Sequence, residues 1–279
     1  VTYNYVQNGG DSSTASTKTV TYGTAVDLTP TATKANYVFI GWNTSSTATT
    51  GLTSYKMPAK NVTLYAIFKK AVAKIETGTA TTYYLTLQDA IDAAETTKTT
   101  VTMIDDVSLP TTVGTVASGE NIVLDLNGHT IQTTGEDIYV IRNTGNLEIQ
   151  DTLGGGKLTS TTSGIIYNSE SGKCVLTSGT IETGEKNAIA NNTNATFEMN
   201  GGTITSEAQG INSINTAKVI VKGGKIETVQ NAIYNAAGTV EIKGGTLTSG
   251  SYAVVRNNED TGIINISAGT LNGASYGVY

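Results

Sequence analysis

Val219-Ile-Val-Lys-Gly-Gly-Lys-Ile-Glu-Thr228 is followed 21 residues later by Val240-Glu-Ile-Lys-Gly-Gly-Thr-Leu-Thr-Ser249. Both stretches alternate apolar and polar residues, turn at a glycine pair, and resume alternation on an isoleucine or leucine. Alternation at period two is the mark of a strand with one buried face. The repeat extends in both directions. The turns are Gly155-Gly156, Ser178-Gly179, Gly201-Gly202, Gly223-Gly224, Gly244-Gly245 and Ala268-Gly269. The apolar residues two places beyond them are Leu158, Ile181, Ile204, Ile226, Leu247 and Leu271, spaced by 23, 23, 22, 21 and 24.

Two further series keep the same period. One holds the pairs Leu147/Ile149, Cys174/Leu176, Phe197/Met199, Val219/Val221, Val240/Ile242 and Ile264/Ile266. The other holds Ile141, Ile166, Ile189, Ile211, Ile233, Val255 and Val278, spaced by 25, 23, 22, 22, 22 and 23. Three short strands in each period, all with inward apolar positions, predict a parallel β-helix. A propeller blade needs a period of about 40 residues, and a leucine-rich repeat needs its own consensus. Right-handed winding is expected because parallel crossovers favour that hand.

Upstream of the array, Leu87, Ala90, Ile91 and Ala94 fall at i, i+3, i+4 and i+7, one face of a short helix. Thr86 and Asp89 make a capping-box pattern at its start. The predicted role of the helix is to cover the open apolar end of the array. Residues 1–70 differ in character. They hold the only tryptophan and two of the three prolines. Strands are predicted at Val20–Gly23, Tyr37–Trp42 and Asn61–Phe68, with a turn at Asn8-Gly9-Gly10. The fold class is therefore all-β: a small domain over 1–70, then a β-helix with an N-terminal capping helix over 71–279. Residues 71–85 are expected to supply a strand and a loop between them.

The first domain carries a resemblance. Val1-Thr-Tyr3, Gly9-Gly10, Tyr22-Gly23, Pro30, Tyr37-x-Phe39-x-Gly41-Trp42 and Leu64-Tyr65-Ala66-x-Phe68 together resemble the internalin B-repeat, or Listeria–Bacteroides repeat. That resemblance implies a β-grasp-like spacer module of bacterial surface proteins, with no catalytic residues to carry over. Asp125-Leu-Asn-Gly-His-Thr-Ile131, with the helix and Val101–Val107, is similar to the entry of pectate-lyase-like β-helices in Firmicute surface proteins. Together these imply an extracellular location at the cell surface or wall. No signal peptide appears at Val1 and no anchor follows Tyr279, so an internal fragment with further coils after Tyr279 is expected.

Composition narrows the chemistry. Charged residues are 14% of the chain, against about 25% in an ordinary soluble domain. The net charge of −6 and the lack of a basic patch argue against nucleic acid. No apolar run reaches the ~18 residues of a membrane span. One cysteine, Cys174, excludes an intrachain disulfide, and its inward slot makes it a small hydrophobe. His129 follows Asn127-Gly128, a tight-turn signal. No metal or cofactor motif is present.

A β-helix hydrolase needs carboxylates converging roughly 5–9 Å apart. Glu148, Glu198 and Glu241 align but alternate with inward residues, and Val175, Ile220 and Asn265 separate them, so a solvated face is expected. Asp137 and the Glu259-Asp260 pair fall in loops. Next to the third inward series lie Arg142, Tyr167, Ala190, Asn212, Tyr234, Arg256 and Tyr279, an outward stripe. Tyrosine and arginine suit sugar or protein ligands. Tyr167, Tyr234, Arg256 and Tyr279 are the candidate ligand-binding residues. Asn143, Asn168, Asn191, Ser213, Asn235 and Asn257 come next and predict stacked turn amides. The expected function is a monomeric, non-catalytic stalk or adhesin segment that meets a host protein or glycan. A carbohydrate-active enzyme with an incomplete site is the alternative.

Overall fold

The computed structural model describes every residue of the chain except Glu95. The chain is all-β with a single short helix among the described residues. It divides into two units, Val1–Lys74 with Thr82–Thr86, and Ile75–Thr81 with Leu87–Tyr279.

The first unit contains β1 (Thr2–Val6), β2 (Ser12–Ser13), β3 (Lys18–Thr19), β4 (Ala32–Thr33), β5 (Tyr37–Asn43) and β6 (Val62–Lys70). Its main sheet has the order β3-β1-β6-β5. The first and last of these strands run parallel at its centre, and the flanking pairs are antiparallel. This is the β-grasp-like pattern, and β2 and β4 form a small ribbon beside it.

Trp42 is fully buried in this unit, and its indole N–H donates to the Pro30 carbonyl at 2.7 Å. Gly41 must precede it. Its φ of +121° is open to glycine, and a Cβ on the facing Gly51 would sit 2.4 Å from the Ile40 oxygen. Val20–Gly23 is not a strand. β3 ends at Thr19, and Gly23 turns the chain at φ +82° while Tyr22 stays exposed. The apolar alternation there suits a turn as well as a strand, because the glycine that ends it supplies the positive φ a turn needs.

Residues 71–85 hold two strands rather than one, β7 (Ala73–Thr77) and β8 (Ala80–Tyr84). The helix α1 (Leu87–Ala94) follows and buries Leu87, Ala90, Ile91 and Ala94, the face read from the sequence.

From Thr99 the second unit is a parallel β-solenoid of about eight coils. Coil 5 is typical, with strands Thr196–Met199, Thr203–Ser206 and Ile211–Ser213. Each strand pairs in parallel with its counterparts above and below, giving three ladders. In the first ladder Leu147, Cys174, Phe197, Val219 and Val240 stand in register. In the second, so do Leu158, Ile181, Ile204, Ile226 and Leu247. The third aligns Ile141, Ile166, Ile189, Ile211, Ile233 and Val255, and a bridge continues it to Val278. All but the last are buried. The glycine turns stack so closely that a Cβ on Gly224 would lie 2.7 Å from the Gly202 oxygen.

At coil 1 the third ladder offers Gly114 where later coils offer isoleucine. Leu87 and Ile91 of α1 fill that space, with Ile91 Cδ1 3.0 Å from the position of a Gly114 Cβ. Gln88 completes the cover. Its amide donates to the Thr115 carbonyl at 3.0 Å and accepts the Thr115 N–H at 2.7 Å, taking the backbone groups that a preceding strand would take.

Candidate functional site

The outer face of the third ladder carries the candidate residues in the order the sequence predicts. Arg142 pairs with Tyr167, Tyr167 with Ala190, Ala190 with Asn212, Asn212 with Tyr234, and Tyr234 with Arg256. Tyr279 lies beyond Arg256. Its N–H donates to the Val255 carbonyl and its own carbonyl accepts from Asn257, which brackets the Arg256 position.

The face gathers these side chains into two clusters. In the first, the Arg142 guanidinium carbon lies 5.9 Å from the Tyr139 ring centre and 5.4 Å from that of Tyr167. The two rings are 5.1 Å apart and tilted by 48°. Gly164 makes room for this, since a Cβ there would fall 2.4 Å from the Tyr139 ring. Burial raises the Tyr139 hydroxyl above its ordinary pKa. Arg142, Tyr167, Thr144, Ser169 and Glu170 help line a cavity of about 350 Å³.

The second cluster joins Tyr234, Arg256 and Tyr279. Arg256 lies 5.8 Å from the Tyr234 ring centre. A cavity of about 350 Å³ is bounded by Arg256, Asn231, Tyr252, Ser275, Tyr276 and Tyr279. Tyr252, Tyr276 and Tyr279 are 52%, 58% and 67% exposed. The Arg256 Nε is buried and has no hydrogen-bond partner among the described residues. Tyr167 therefore does not join the other three candidates; it belongs with Arg142.

Sequence reasoning missed Tyr139, Tyr252 and Tyr276. A signal for the last two was present: Ser251-Tyr252 and Ser275-Tyr276 repeat 24 residues apart, just ahead of the third strand. The stacking is direct, with Ser275 Oγ donating to the Ser251 carbonyl at 3.3 Å.

Several carboxylates of the solenoid are held by other groups. Glu148 pairs with Lys98 at 2.7 Å, Glu198 with Lys222 at 2.6 Å, and Glu241 with Lys218 at 2.6 Å and Lys243 at 2.7 Å. The Lys222 bond lowers the Glu198 pKa, and the two lysines bring Glu241 down to about 2. Asp125 accepts the Asn127 and Thr152 N–H groups, and Asp151 those of Gly128 and Gly156. Asp137 pairs with Lys186 at 2.6 Å. His129 Nδ1 lies 3.2 Å from Asp106 at the turn. Cys174 is buried, and its thiol is pushed up to about 12 by loss of water.

Inside the same ladder the asparagines stack. Asn143 donates to Asn168 at 2.7 Å, Asn168 to Asn191 at 2.8 Å, and Asn235 to Asn257 at 2.9 Å. Ser213 interrupts the run, and its hydroxyl has no partner among the described residues.

Residues 1–67 match the Listeria-Bacteroides repeat domain, a domain typical of surface proteins. Neither the curated proteins nor the solved structures contain a match to the chain. No helix among the described residues is long and apolar enough to cross a membrane.

Proposed function

We propose that the chain is a non-catalytic segment of a bacterial cell-surface protein, an extracellular spacer whose solenoid also presents a binding face. The observation that carries this is the disposition of the carboxylates. Glu148, Glu198 and Glu241 line up on the outer face of the first ladder and Glu182 and Glu227 on that of the second, and each of the five pairs with lysine. Asp125 and Asp151 serve the backbone of turns. A general acid needs a raised pKa and a nearby partner carboxylate; Glu198 and Glu241 are shifted the other way. The Listeria-Bacteroides repeat domain at 1–67 supports the surface location.

We read the solenoid as a relative of the pectate-lyase-like β-helices of Firmicute surface proteins, on the Asp125–Ile131 entry motif and the covering helix. A stack in which every coil pairs with the next suits a stiff, monomeric spacer. The test is incubation of the purified chain with pectin, alginate and host glycans, with and without calcium. No release of reducing or unsaturated sugar ends is expected. Release would establish the enzyme reading instead.

A further inference from the structure

Arg142 and Arg256 are the only arginines in the chain. Both stand on the outer face of the third ladder, each beside a tyrosine in the neighbouring coil. Lysines along the chain, among them Lys98, Lys186 and Lys222, hold carboxylates within 4 Å. Neither arginine forms an ion pair among the described residues. Lysine is the cation paired with these acids, and the arginines are left without a carboxylate partner among the described residues, the Arg256 Nη2 donating only to the neutral Asn258 Oδ1 at 3.4 Å.

We propose that each arginine–tyrosine cluster binds a sugar that carries a carboxylate. The guanidinium fork matches a planar carboxylate in two parallel hydrogen bonds, which a lysine ammonium does not. Tyrosine rings cover the apolar face of a pyranose, and both clusters supply them, Tyr139 and Tyr167 around Arg142 and Tyr234 beside Arg256. The buried Arg256 Nε has a proton to give and no acceptor among the described residues.

The strip between the clusters belongs to the same surface. Only Ala190 and Asn212 separate Tyr167 from Tyr234, and Asn212 Oδ1 is buried without a donor. The chain's charge of −6 disfavours densely charged polyanions such as nucleic acid, leaving ligands whose carboxylates are widely spaced. From Arg142 to Arg256 is five ladder steps of about 4.8 Å, roughly 24 Å along one flat face. Acidic sugars could come from two sources, the interior of a linear glycan that touches both clusters or the tips of branched glycans that occupy each singly. From the proposed surface location this assignment takes only the reach of such glycans; the binding chemistry rests on the face.

The experiment is titration calorimetry of the full chain with hyaluronate, short hyaluronate fragments, sialyllactose, lactose, carboxyl-esterified hyaluronate and poly-glutamate. The variants are Arg142→Gln, Arg256→Gln, the double variant, and Arg142→Lys with Arg256→Lys. All these side chains face outward, and unchanged circular dichroism verifies the fold. Binding of hyaluronate or sialyllactose, with none of lactose or the ester, is expected. Each single Gln substitution should weaken polymer binding about tenfold or more, and the double variant should abolish it. The Lys pair should stay weak although it keeps the charge. Polymer binding much tighter than fragment binding assigns the linear source, and equal binding of fragments and sialyllactose assigns the tips. No binding of any acidic sugar, binding unaffected in the double Gln variant, equal binding of the ester, or equal binding of poly-glutamate would overturn the proposal. Failure here leaves the spacer proposal standing, because that one falls only to depolymerase activity.

Discussion

The two units solve the same problem, burying a β-sheet face, by opposite means. The first unit gathers unlike side chains once. Tyr3, Tyr5, Trp42, Phe39 and Phe68 meet edge to face, with ring centres 4.7–5.7 Å apart. The solenoid repeats one aliphatic arrangement coil after coil, and each inward residue meets its own counterparts about 22 positions away in sequence. A one-off core fails as a whole when its centre is removed. A stacked core distributes stability over nearest-neighbour interfaces and fails locally.

The largest effect expected is at the middle of the stack. Ile211→Asp would bury a charge between Ile189 and Ile233 with no partner and should cost more than about 4 kcal/mol. Amide exchange should rise in coils 4 to 6 before the outer coils respond. A thermal melt like that of the parent would mean that the register is wrong. Trp42→Ala comes next, at about 3–5 kcal/mol. Here the contrast sharpens. NMR shift dispersion should be lost together for β1, β5 and β6, and a loss confined to the neighbours of Trp42 would erase the distinction between the two cores.

Asn168→Ala should cost about 1–3 kcal/mol, since it removes one partner each from the buried Asn143 Nδ2, the Asn191 Oδ1 and the Thr196 carbonyl. Chemical denaturation measures it. A cost near zero would mean that the stacked amides are interchangeable with water.

The smallest effect is electrostatic. Glu241 is held well below its ordinary 4.5, at about 2, by Lys218 and then Lys243. A depressed carboxylate stabilises the fold above its unfolded pKa and loses that contribution as pH falls through the folded value. Stability should therefore decline slightly between about pH 4.5 and 2, the decline should be smaller in Glu241→Gln, and added salt should diminish it because the pair is exposed. An identical acid slope in parent and variant would remove the ion pair from the account.

The ladders were legible because period two along a strand and a period near 22 along the chain leave each inward position no choice of face. The helix face was legible for the same reason. Val20–Gly23 was misread because a short apolar alternation ending in glycine fits a turn as well as a strand. The face of the third ladder was legible as an order of residues but not as two groups. Which ring reaches which guanidinium depends on gaps such as Gly164, and on Tyr139, Tyr252 and Tyr276, which lie outside the stripe's register. The paired lysines were invisible for a similar cause: the long side chain of Lys218 reaches Glu241 in the next coil, a contact that alternation does not encode.

Between the two arginines the coils stack in unbroken register. Pulsed dipolar spectroscopy on a chain with spin labels at Arg142→Cys and Arg256→Cys measures that distance, and the buried Cys174 stays unlabelled. A narrow distribution centred near 24 Å, apart from the label arms, is the expected result. A mean near half that value, or a distribution broad enough to cover several coils, would contradict it.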